Sequence, residues 1–320
     1  MFLKTGIILF WVIVSYFLLV FFSNSLIMSV VTAFALAQGL ALVGLNIMHD
    51  GGHGSYSKNK TINWFMSFTL DLIGASHVLW RQKHNILHHT YTNIDEVDDD
   101  IHTYGLIRLS PHQEWRPWHR FQSLYAFPAY GFLTMSWLLF SNFREILSGR
   151  VANNKLPPTR RGEVVLFFLT KAFYLGYALV LPSLFHPISH VLITFVGVHF
   201  VLSLTLLTVF QLAHTVEGNT FPEPEVGTGV IDNEWAIHQV ETTANFAGTN
   251  KLATWCIGGL NFQIEHHLFP KVCHVHYPAI SAIVEETCRE FSVDYTSYPT
   301  VRSAIAGHYR FLKALGNPSG

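Results

Sequence analysis

Three short stretches of the chain place histidines at spacings that suit metal coordination. The middle stretch, His84-Asn-Ile-Leu-His88-His89, puts three imidazoles within six residues. If it is helical, His84 and His88 share one face, and His88 and His89 point about 100° apart. Imidazole is the commonest side-chain ligand for iron, copper, zinc and nickel. The spacing therefore predicts a metal site in which His88 and His89 reach two neighbouring ions.

Two further clusters strengthen this prediction. His49-Asp-Gly-Gly-His53 lies upstream and is again an i,i+4 pair, and Gln263-Ile-Glu-His266-His267 lies downstream and ends in a tandem pair. One i,i+4 histidine pair is common in ordinary helices and would alone indicate little. Chance is a poor explanation for three such clusters once the predicted topology brings all of them to one membrane face.

At these three boxes the chain resembles the membrane-bound fatty acid desaturases. That family has a spaced histidine pair, a second box ending in His-His, and a third box with Gln or His before a final His-His. The stretch from Trp235 to Pro270, with Gln263 in the third box, is similar to the front-end and linoleoyl-CoA-type branch. The resemblance implies an oxidoreductase that uses O₂ and two non-haem iron ions. Such an enzyme introduces a double bond into a long-chain acyl group carried on CoA, acyl carrier protein or lipid.

The resemblance also implies which residues hold the iron. The boxes supply most ligands, and the family places one more histidine where the last span ends, which is His214 here. The alternative for that residue is an ordinary interfacial histidine. Gln263, Asp50 and Glu265 are expected either to ligate or to orient a ligand, and Asp98 and Asp95 are further acceptors for imidazole N–H groups. The expected metal ligands are His49, His53, His84, His88, His89, His214, His266 and His267.

Other polar residues near the boxes have simpler interpretations. His238 is left outside the ligand set, and the acidic run 95–100 fits a solvated loop as well as it fits groups that orient ligands. Arg81, Lys83 and Lys271 could attract an anionic carrier, although surface cations seldom need such a role. Several other histidines are expected to be surface or packing residues: His102, His112, His119, His274, His276 and His308.

The composition indicates one membrane-embedded unit rather than two soluble domains. Of the 320 residues, 50% are hydrophobic and 13% are charged, whereas about one quarter of an ordinary soluble protein is charged. The formal net charge of −1 gives no indication of nucleic-acid binding. The three scattered cysteines form no CxxC pair and indicate neither a disulfide framework nor a thiolate metal site.

Hydropathy then divides the chain into spans and membrane-surface segments. If the stretch at about 62–80 crossed the membrane, the first two boxes would lie on opposite membrane faces. The stretch at about 122–141 has arginines on both flanks, so both flanks are expected on the cytoplasmic side. Both are therefore expected to be interfacial or re-entrant. Residues 213–320 are expected to form a cytoplasmic cap. The stretches long enough to span a bilayer lie at about 6–22, 25–48, 164–185 and 188–212.

These assignments predict an all-α membrane protein with about four transmembrane helices in two hairpins, interfacial helices, and a cytoplasmic helical cap holding a di-metal site. Residues 1–320 are expected to form one membrane desaturase domain with its active site in the cytoplasm. The compact chain favours a bacterial inner membrane over the endoplasmic reticulum. Because the sequence contains no fused cytochrome b5 and no His-Pro-Gly-Gly motif, we expect a separate electron donor, a ferredoxin or a free cytochrome b5. The other expected partners are membrane lipid and an acyl-CoA or acyl-ACP substrate.

Two other kinds of function use similar residues. An acetylenase or a hydroxylase on the same scaffold would share the histidine boxes, and only the reaction product would separate them. A membrane haem or metal redox protein, or a transporter, would favour ionisable residues along the spans. Lys171 and His199 are the main such residues, whereas most histidines lie at span ends or in the cap. The sequence therefore favours the desaturase.

Overall fold

A computed structural model describes residues 1–151, 154–225, 227–231 and 233–318 of the chain. Within these residues the protein is mainly helical, and the strands form two short pairs. Backbone contacts divide the chain into two units. Unit 1 comprises Met1–Leu79, Pro128–Gly149 and Leu156–Leu207, and unit 2 comprises Trp80–Phe127, Arg150–Lys155 and Thr208–Gly320.

The α-helices of the described residues follow one another along the whole chain. They are α1 (Phe2–Phe21), α2 (Leu26–Leu42), α3 (His49–His53), α4 (Lys60–Leu72), α5 (His77–Trp80), α6 (Gln122–Tyr130), α7 (Leu133–Ser136), α8 (Asn142–Ser148), α9 (Arg161–Leu175), α10 (Leu181–Ser183), α11 (Ile188–His214), α12 (Trp235–Glu241), α13 (Lys251–Cys256), α14 (Gln263–Leu268), α15 (Tyr277–Glu290) and α16 (Val301–Leu315).

Wider and tighter helical turns extend or join these helices. The π-helical turns are Val43–Met48, Arg81–His88, Trp137–Ser141 and Gly176–Val180, and the 3₁₀ turns are Asp99–Ile101, Pro117–Phe121 and His274–His276. The strands are equally short. β1 (Arg150–Val151) pairs antiparallel with β2 (Asn154–Lys155), and β3 (Asn245–Phe246) pairs parallel with β4 (Ser297–Tyr298).

Four helices of the described chain are long and apolar enough to cross a membrane. They measure 20, 28, 23 and 27 residues, against the roughly 20 that a bilayer needs. This confirms the predicted all-α membrane protein with four transmembrane helices. The second helix continues beyond residue 48, because the first histidine box forms its last turn. The four helices are α1, Leu26–His53, Arg161–Ser183 and α11.

The two helix pairs of unit 1 turn at the same end. One short connection joins α1 to α2, and another joins α10 to α11. His186 in the second connection donates from Nε2 to the backbone carbonyl of Val20, at 2.8 Å, so the connections are neighbours. The first histidine box follows α2 and therefore lies at the opposite end of that helix.

The apolar stretch at 122–141 does not form one long helix. α6 contains Pro128, which removes an amide donor and favours a break in the helix. Gly131 follows α6 and lies so close to Phe200 that a Cβ atom there would be 2.3 Å from the ring. Because α7, a π-turn and α8 follow as short elements, none of these pieces alone reaches the length of a span. The membrane position of this stretch stays a prediction.

A buried lysine joins three parts of unit 1. Nζ of Lys171 donates to the backbone carbonyl of Gly74 at 2.6 Å, and to the carbonyl of Trp137 and Oδ1 of Asn142 at 3.3 Å each. These acceptors follow α4, begin the π-turn Trp137–Ser141 and begin α8. Ionisable residues are costly within a span unless polar groups surround them, as they do here. Lys171 therefore fixes the segment after α4 and the 137–142 segment to the third long helix.

We expect Lys171→Met to destabilise the protein by about 3 kcal/mol, because charge-assisted hydrogen bonds are lost and buried acceptors lose their donor. Thermal unfolding of the detergent-purified protein measures the change. Lys58→Met is the matched control, because Lys58 is exposed in the same unit. Equal unfolding temperatures for the two variants would show that Lys171 does not hold these segments together.

In unit 2 the last helix, α16, is anchored at its middle and near its C-terminal end. Arg108 and Gln122 donate to the backbone carbonyls of Leu315 and Leu312, at 3.2 and 2.9 Å. At the middle of α16, His308 donates from Nδ1 to the carbonyl of Thr215 at 2.6 Å. The residue after α11 and the segment before α6 are therefore both tied to α16.

Candidate metal centre

Six of the eight predicted metal ligands lie in unit 2, and all six are buried. The π-turn Arg81–His88 and the residue after it carry His84, His88 and His89. The rings of His88 and His89 lie 5.1 and 4.8 Å from that of His84, measured between ring centroids. The wider π-turn thus brings both later histidines close to His84, which an α-helix would do for one of them. The remaining three are His214 at the end of α11, and His266 and His267 in α14.

These histidines form two overlapping groups. His88, His214 and His267 bring one ring nitrogen each to within 4.8 Å of one another, and so do His89, His266 and His267. The rings of His89 and His267 are stacked with their centroids 4.2 Å apart. Because the two groups differ in two of their three histidines, the arrangement is consistent with two neighbouring metal positions. The groups could therefore hold metal ions.

Unsatisfied nitrogen atoms support this interpretation. Among the described residues, Nε2 of His88 and Nδ1 of His214 are buried and have no hydrogen-bond partner. The ring of His214 is hydrogen-bonded to the backbone at Thr242 through its other nitrogen. A buried polar atom without a partner is costly, and a metal ion would satisfy it. The donor set consists of imidazole nitrogens, which suit iron, copper, zinc or nickel.

The opposite ring nitrogens are held by groups that fix ring orientation. Nδ1 of His88 donates to both carboxylate oxygens of Asp98, at 3.1 Å each. Nδ1 of His267 donates to Oε1 of Gln239 at 2.8 Å, and Nδ1 of His266 is hydrogen-bonded to Oη of Tyr277 at 3.1 Å. Such partners set the tautomer of a metal-binding imidazole and increase its basicity.

The acidic run after the second box provides this orientation. Asp98 is buried, and its carboxylate accepts backbone N–H groups from Asn93 and Asp100 at 2.9 and 3.0 Å. A carboxylate oxygen of Asp100 also lies within 4.8 Å of ring nitrogens of His84 and His88. Asp95 accepts instead from the side chain of Gln113, at 3.0 Å. The run is therefore a structured part of the site.

The same carboxylates raise the pKa of His88. Burial lowers this pKa, but the charges of Asp98 and Asp100 and the hydrogen bond to Asp98 outweigh burial and raise it from 6.5 to about 9. A raised folded-state pKa stabilises the metal-free fold fully below pH 6.5, and that contribution is lost as pH rises to about 9. A metal ion bound by His88 would have to displace this proton, so its apparent affinity should rise with pH over the same interval.

We expect Asp98→Asn to move both pH dependences to lower pH, because the carboxylate that raises the His88 pKa most is removed. Iron(II) titration and thermal unfolding, each measured from pH 6.5 to about 9, would show the shifts. Asp95→Asn serves as the control, because its carboxylate accepts from Gln113. Unchanged profiles in Asp98→Asn would mean that another group controls the titration.

Helix α14 is held in place by a polar cluster and an apolar one. Oδ1 of Asn245 accepts the backbone N–H of Ile264 at 3.0 Å, and Nδ2 of Asn245 donates to Glu265 at 2.8 Å. Glu265 also accepts from Tyr295 at 2.9 Å, and its pKa is raised by burial. On the apolar side Ile264 packs in a core with Val240, Val284 and Cys288. Through these contacts Glu265 stabilises the position of α14. Its expected role in binding the metal or orienting a metal ligand stays a prediction.

Gln263 begins α14 in the third box. It is buried, and among the described residues its Oε1 has no hydrogen-bond partner. An unsatisfied buried oxygen is compatible with a ligand or with an acceptor for bound water. Both expected roles of Gln263 therefore remain open predictions.

The first box lies in unit 1, in α3. His49 is buried, and the ring centroids of His49 and His53 are 4.7 Å apart. Gly51 between them allows α3 to approach α4, because a Cβ there would lie 2.6 Å from the backbone nitrogen of Ser67. Gly54 ends the helix in a left-handed conformation with φ of 73°. The box is a preformed helical pair, and its participation in metal binding, like that of Asp50, stays a prediction.

Histidines outside the boxes have other partners. His112 contacts Glu223 at 3.0 Å and the carbonyl of Phe221 at 2.7 Å, and His119 bonds the carbonyl of Gly105 at 3.0 Å. Burial lowers the pKa of His238, which is hydrogen-bonded to the backbone at Thr92. In the described residues His238 belongs to none of the close groups of ligand atoms.

Lys83 is also engaged within the protein. Its Nζ lies 2.9 Å from a carboxylate oxygen of Asp99, and both side chains are nearly buried. A lysine in this position is a poor docking point for an anionic carrier. The structure therefore weakens the prediction that Lys83 attracts CoA or acyl carrier protein.

Several residues that orient the cluster carry no signal in the sequence. Gln239 and Tyr277 lie 28 and 11 residues from the histidines that they contact, and Asn93 lies just beyond the second box. Only adjacency to a histidine, as for Gln239 beside His238, could have drawn attention to one of them.

Comparison with known proteins agrees with these features. The family described as fatty acid desaturase matches residues 25–299. The chain is 40% identical over 320 residues to an sn-1 linoleoyl-lipid 6-desaturase of Synechocystis sp., covering 100% of this chain and 89% of that protein. A protein of the same name from Arthrospira platensis is 38% identical, with 99% and 86% covered. An acyl-lipid (8-3)-desaturase of Physcomitrium patens is 39% identical, with 99% and 66% covered.

Proposed function

Because the chain belongs to the fatty acid desaturase family, we propose that it is a di-iron enzyme that desaturates acyl chains of intact membrane lipids. The family match and the desaturase relatives confirm the predicted function of a membrane fatty acyl desaturase, which is an oxidoreductase. The proposal adds the metal and the carrier.

Two iron ions are supported by one observation above all. The two three-nitrogen groups share His267 and otherwise use different histidines, His88 and His214 in one and His89 and His266 in the other. One ion held by either group would leave two of these five buried imidazoles without a role. His84 adds a nearby nitrogen, with Nε2 3.3 Å from that of His89. We infer His49 and His53 as the remaining ligands from the family motif alone.

Bound iron would supply the oxidant, formed from O₂, that removes hydrogen from an unactivated methylene. The protein residues have simpler tasks. Imidazoles of the two groups bind and position the ions, and Asp98 and Gln239 keep their rings in one tautomer and orientation. Burial of the whole cluster excludes water that would quench a reactive oxidant.

A lipid is the best supported acyl carrier. The relatives at 38 to 40% identity are named as linoleoyl-lipid or acyl-lipid desaturases, and Lys83 is paired with Asp99 rather than available to an anionic carrier. We infer that the substrate is a long unsaturated chain on a membrane glycerolipid, and that the new double bond lies at position 6. Acyl-CoA and acyl carrier protein are the alternative carriers.

The remaining parts of the proposal concern location and electrons. We infer a bacterial inner membrane protein, and the positive-inside rule supports an orientation in which the termini and the histidine boxes face the cytoplasm. The reaction consumes O₂ and two electrons, and we infer that a separate ferredoxin or cytochrome b5 supplies the electrons. Desaturation measured with a mild reductant, in the presence and absence of each candidate donor protein, would test the need for a separate electron donor.

The central experiment supplies purified, iron-loaded protein with O₂, a reduced donor and defined substrates, and then measures the mass of the acyl chain. We expect loss of two hydrogens from linoleoyl-lipid and no reaction with linoleoyl-CoA. Loss of four hydrogens would indicate an acetylenase, and gain of one oxygen a hydroxylase. Desaturation of the CoA ester alone would refute the lipid carrier, and desaturation of a lipid by zinc-loaded protein without iron would refute the metal assignment.

A further inference from the structure

Unit 1 contains an apolar cavity of about 450 Å³ among its four long helices. α1, α2, the third long helix, α11 and the end of α4 all contribute to its wall. Aliphatic and aromatic side chains form most of that wall, and none of the lining residues within the described chain is an acid, a lysine or an arginine. The cavity is thus suited to an apolar ligand of substantial size.

The hydroxyl groups of the three tyrosines that line the cavity are hydrogen-bonded within the protein. Oη of Tyr16 donates to the backbone carbonyl of Tyr177 at 2.5 Å, and Oη of Tyr177 donates to the carbonyl of Leu72. Oη of Tyr174 is hydrogen-bonded to Nε2 of His199 at 2.6 Å. The rings therefore present carbon to the cavity. Water would find few partners in such a space, and apolar cavities of this kind bind hydrocarbon instead.

The cavity wall belongs largely to helices long and apolar enough to cross a membrane. Ile13, Phe17 and Phe173 line it, and their side chains are exposed on such helices. Helices in a bilayer associate largely through close van der Waals packing. A large void between them loses those contacts unless a molecule fills it. In a membrane, the hydrocarbon chains of lipids are available to fill it.

One end of the cavity is polar. His186 and His190 line it, and their rings are stacked with centroids 5.3 Å apart. Nε2 of His190 lies 3.4 Å from Oγ of Ser29, and His186 donates to the carbonyl of Val20. These residues lie where the two helix pairs turn, at the end of α2 away from the first histidine box. An apolar body with a polar end matches a lipid chain and its ester group.

We propose that this cavity binds one acyl chain of a membrane phospholipid that is not the substrate, with the ester region beside His186 and His190. The lipid comes from the leaflet at the turning end of the helix pairs. It acts as a structural part of unit 1, filling the space between the long helices. The proposal does not depend on iron, on the electron donor or on the reaction.

The test uses full-length protein in nanodiscs that contain a phosphatidylcholine with saturated chains and a photoreactive diazirine at mid-chain. Using the His267→Ala variant as the parent removes turnover, so the result is independent of the proposed reaction. After irradiation, mass spectrometry of peptides locates the label. We expect it on the cavity faces of α1 and α11, close to Tyr16 and Thr194.

Two variants on α11 provide the decisive comparison. Thr194→Trp fills the cavity and should reduce labelling of its wall about tenfold, which corresponds to roughly 1.4 kcal/mol of binding free energy. Val196→Trp is the matched control, because Val196 is exposed on the same helix and is not among the cavity-lining residues. It should leave the labelling unchanged. If Thr194→Trp does not fold, Ala178→Leu narrows the same cavity with a smaller change.

Three results would overturn the proposal. Labelling spread evenly over the outer faces of the helices would indicate only surrounding lipid. Equal labelling of the His267→Ala parent and of its Thr194→Trp and Ala178→Leu derivatives would show that the cavity is not the binding site. Labelling by a linoleoyl-chain probe, with none by the saturated probe, would assign the cavity to the substrate instead.

Discussion

Replacing His214 or His266 by alanine should each remove about one iron of two, and replacing both should remove both. The expectation follows from geometry. His214 belongs to the group with His88 and His267, whereas His266 belongs to the group with His89 and His267. Desaturation should fall more than about 100-fold in both variants, because loss of a ligand exceeds the 10- to 100-fold effect of losing a group that merely orients one.

Elemental analysis of detergent-purified protein, together with product analysis, measures both effects. His112→Ala is the control, because His112 contacts Glu223 and Phe221 and is absent from the described ligand groups. It should retain full iron content. If His214→Ala alone loses both irons while remaining folded, the two groups do not bind separate ions. If neither variant loses iron, the metal lies elsewhere.

The four spans were predictable because a bilayer imposes a local requirement. About 20 consecutive apolar residues are needed, and the sequence displays such runs directly. Their ends were less accurate, since capping contacts decide them. Arg160 immediately precedes the third long helix, and its backbone N–H donates to Glu163 at 2.9 Å. That contact starts the helix at Arg161, before the predicted residue 164.

The histidine boxes were visible for the same reason, because each is contiguous. Their mutual geometry and their partners were not. Gln239 meets His267 only after α12 and α14 have packed together, and no local pattern predicts that pairing. The π-turn that brings His84, His88 and His89 together also differs from the α-helix expected from spacing. Tertiary contacts determine the geometry of the boxes and the partners of their histidines, so local sequence patterns do not predict them.

Buried polar residues were only partly predictable from the sequence. The sequence showed that Lys171 and Asp71 lie in apolar stretches, which marks them as unusual. It did not show that backbone carbonyls surround Lys171, or that Asp71 binds His77 at 2.6 Å. An apolar context thus predicts that a partner exists, and only the fold identifies it.

Asn93 holds together the segments that carry the proposed metal ligands of unit 2. It is fully buried, and its Nδ2 donates to the backbone carbonyls of His214, Thr220 and Thr242, at 3.0, 3.2 and 3.2 Å. Its backbone N–H donates to Asp98, which orients His88. Its φ of 60° is left-handed, a conformation that asparagine adopts more readily than other residues with a side chain. One residue thus links the second box to the end of α11.

We expect Asn93→Ala to lower the free energy of unfolding by about 3 kcal/mol, through lost hydrogen bonds and left-handed strain. Asn219 also donates to the carbonyls of His214 and Thr242, which limits the loss. The unfolding temperature should fall by about 10 °C, and iron should bind more weakly because Asp98 and His214 lose their link. Asn93→Gly removes the same hydrogen bonds without strain, so its unfolding temperature should lie between those of wild type and Asn93→Ala. Wild-type iron affinity in Asn93→Ala would show that the link does not position the ligands.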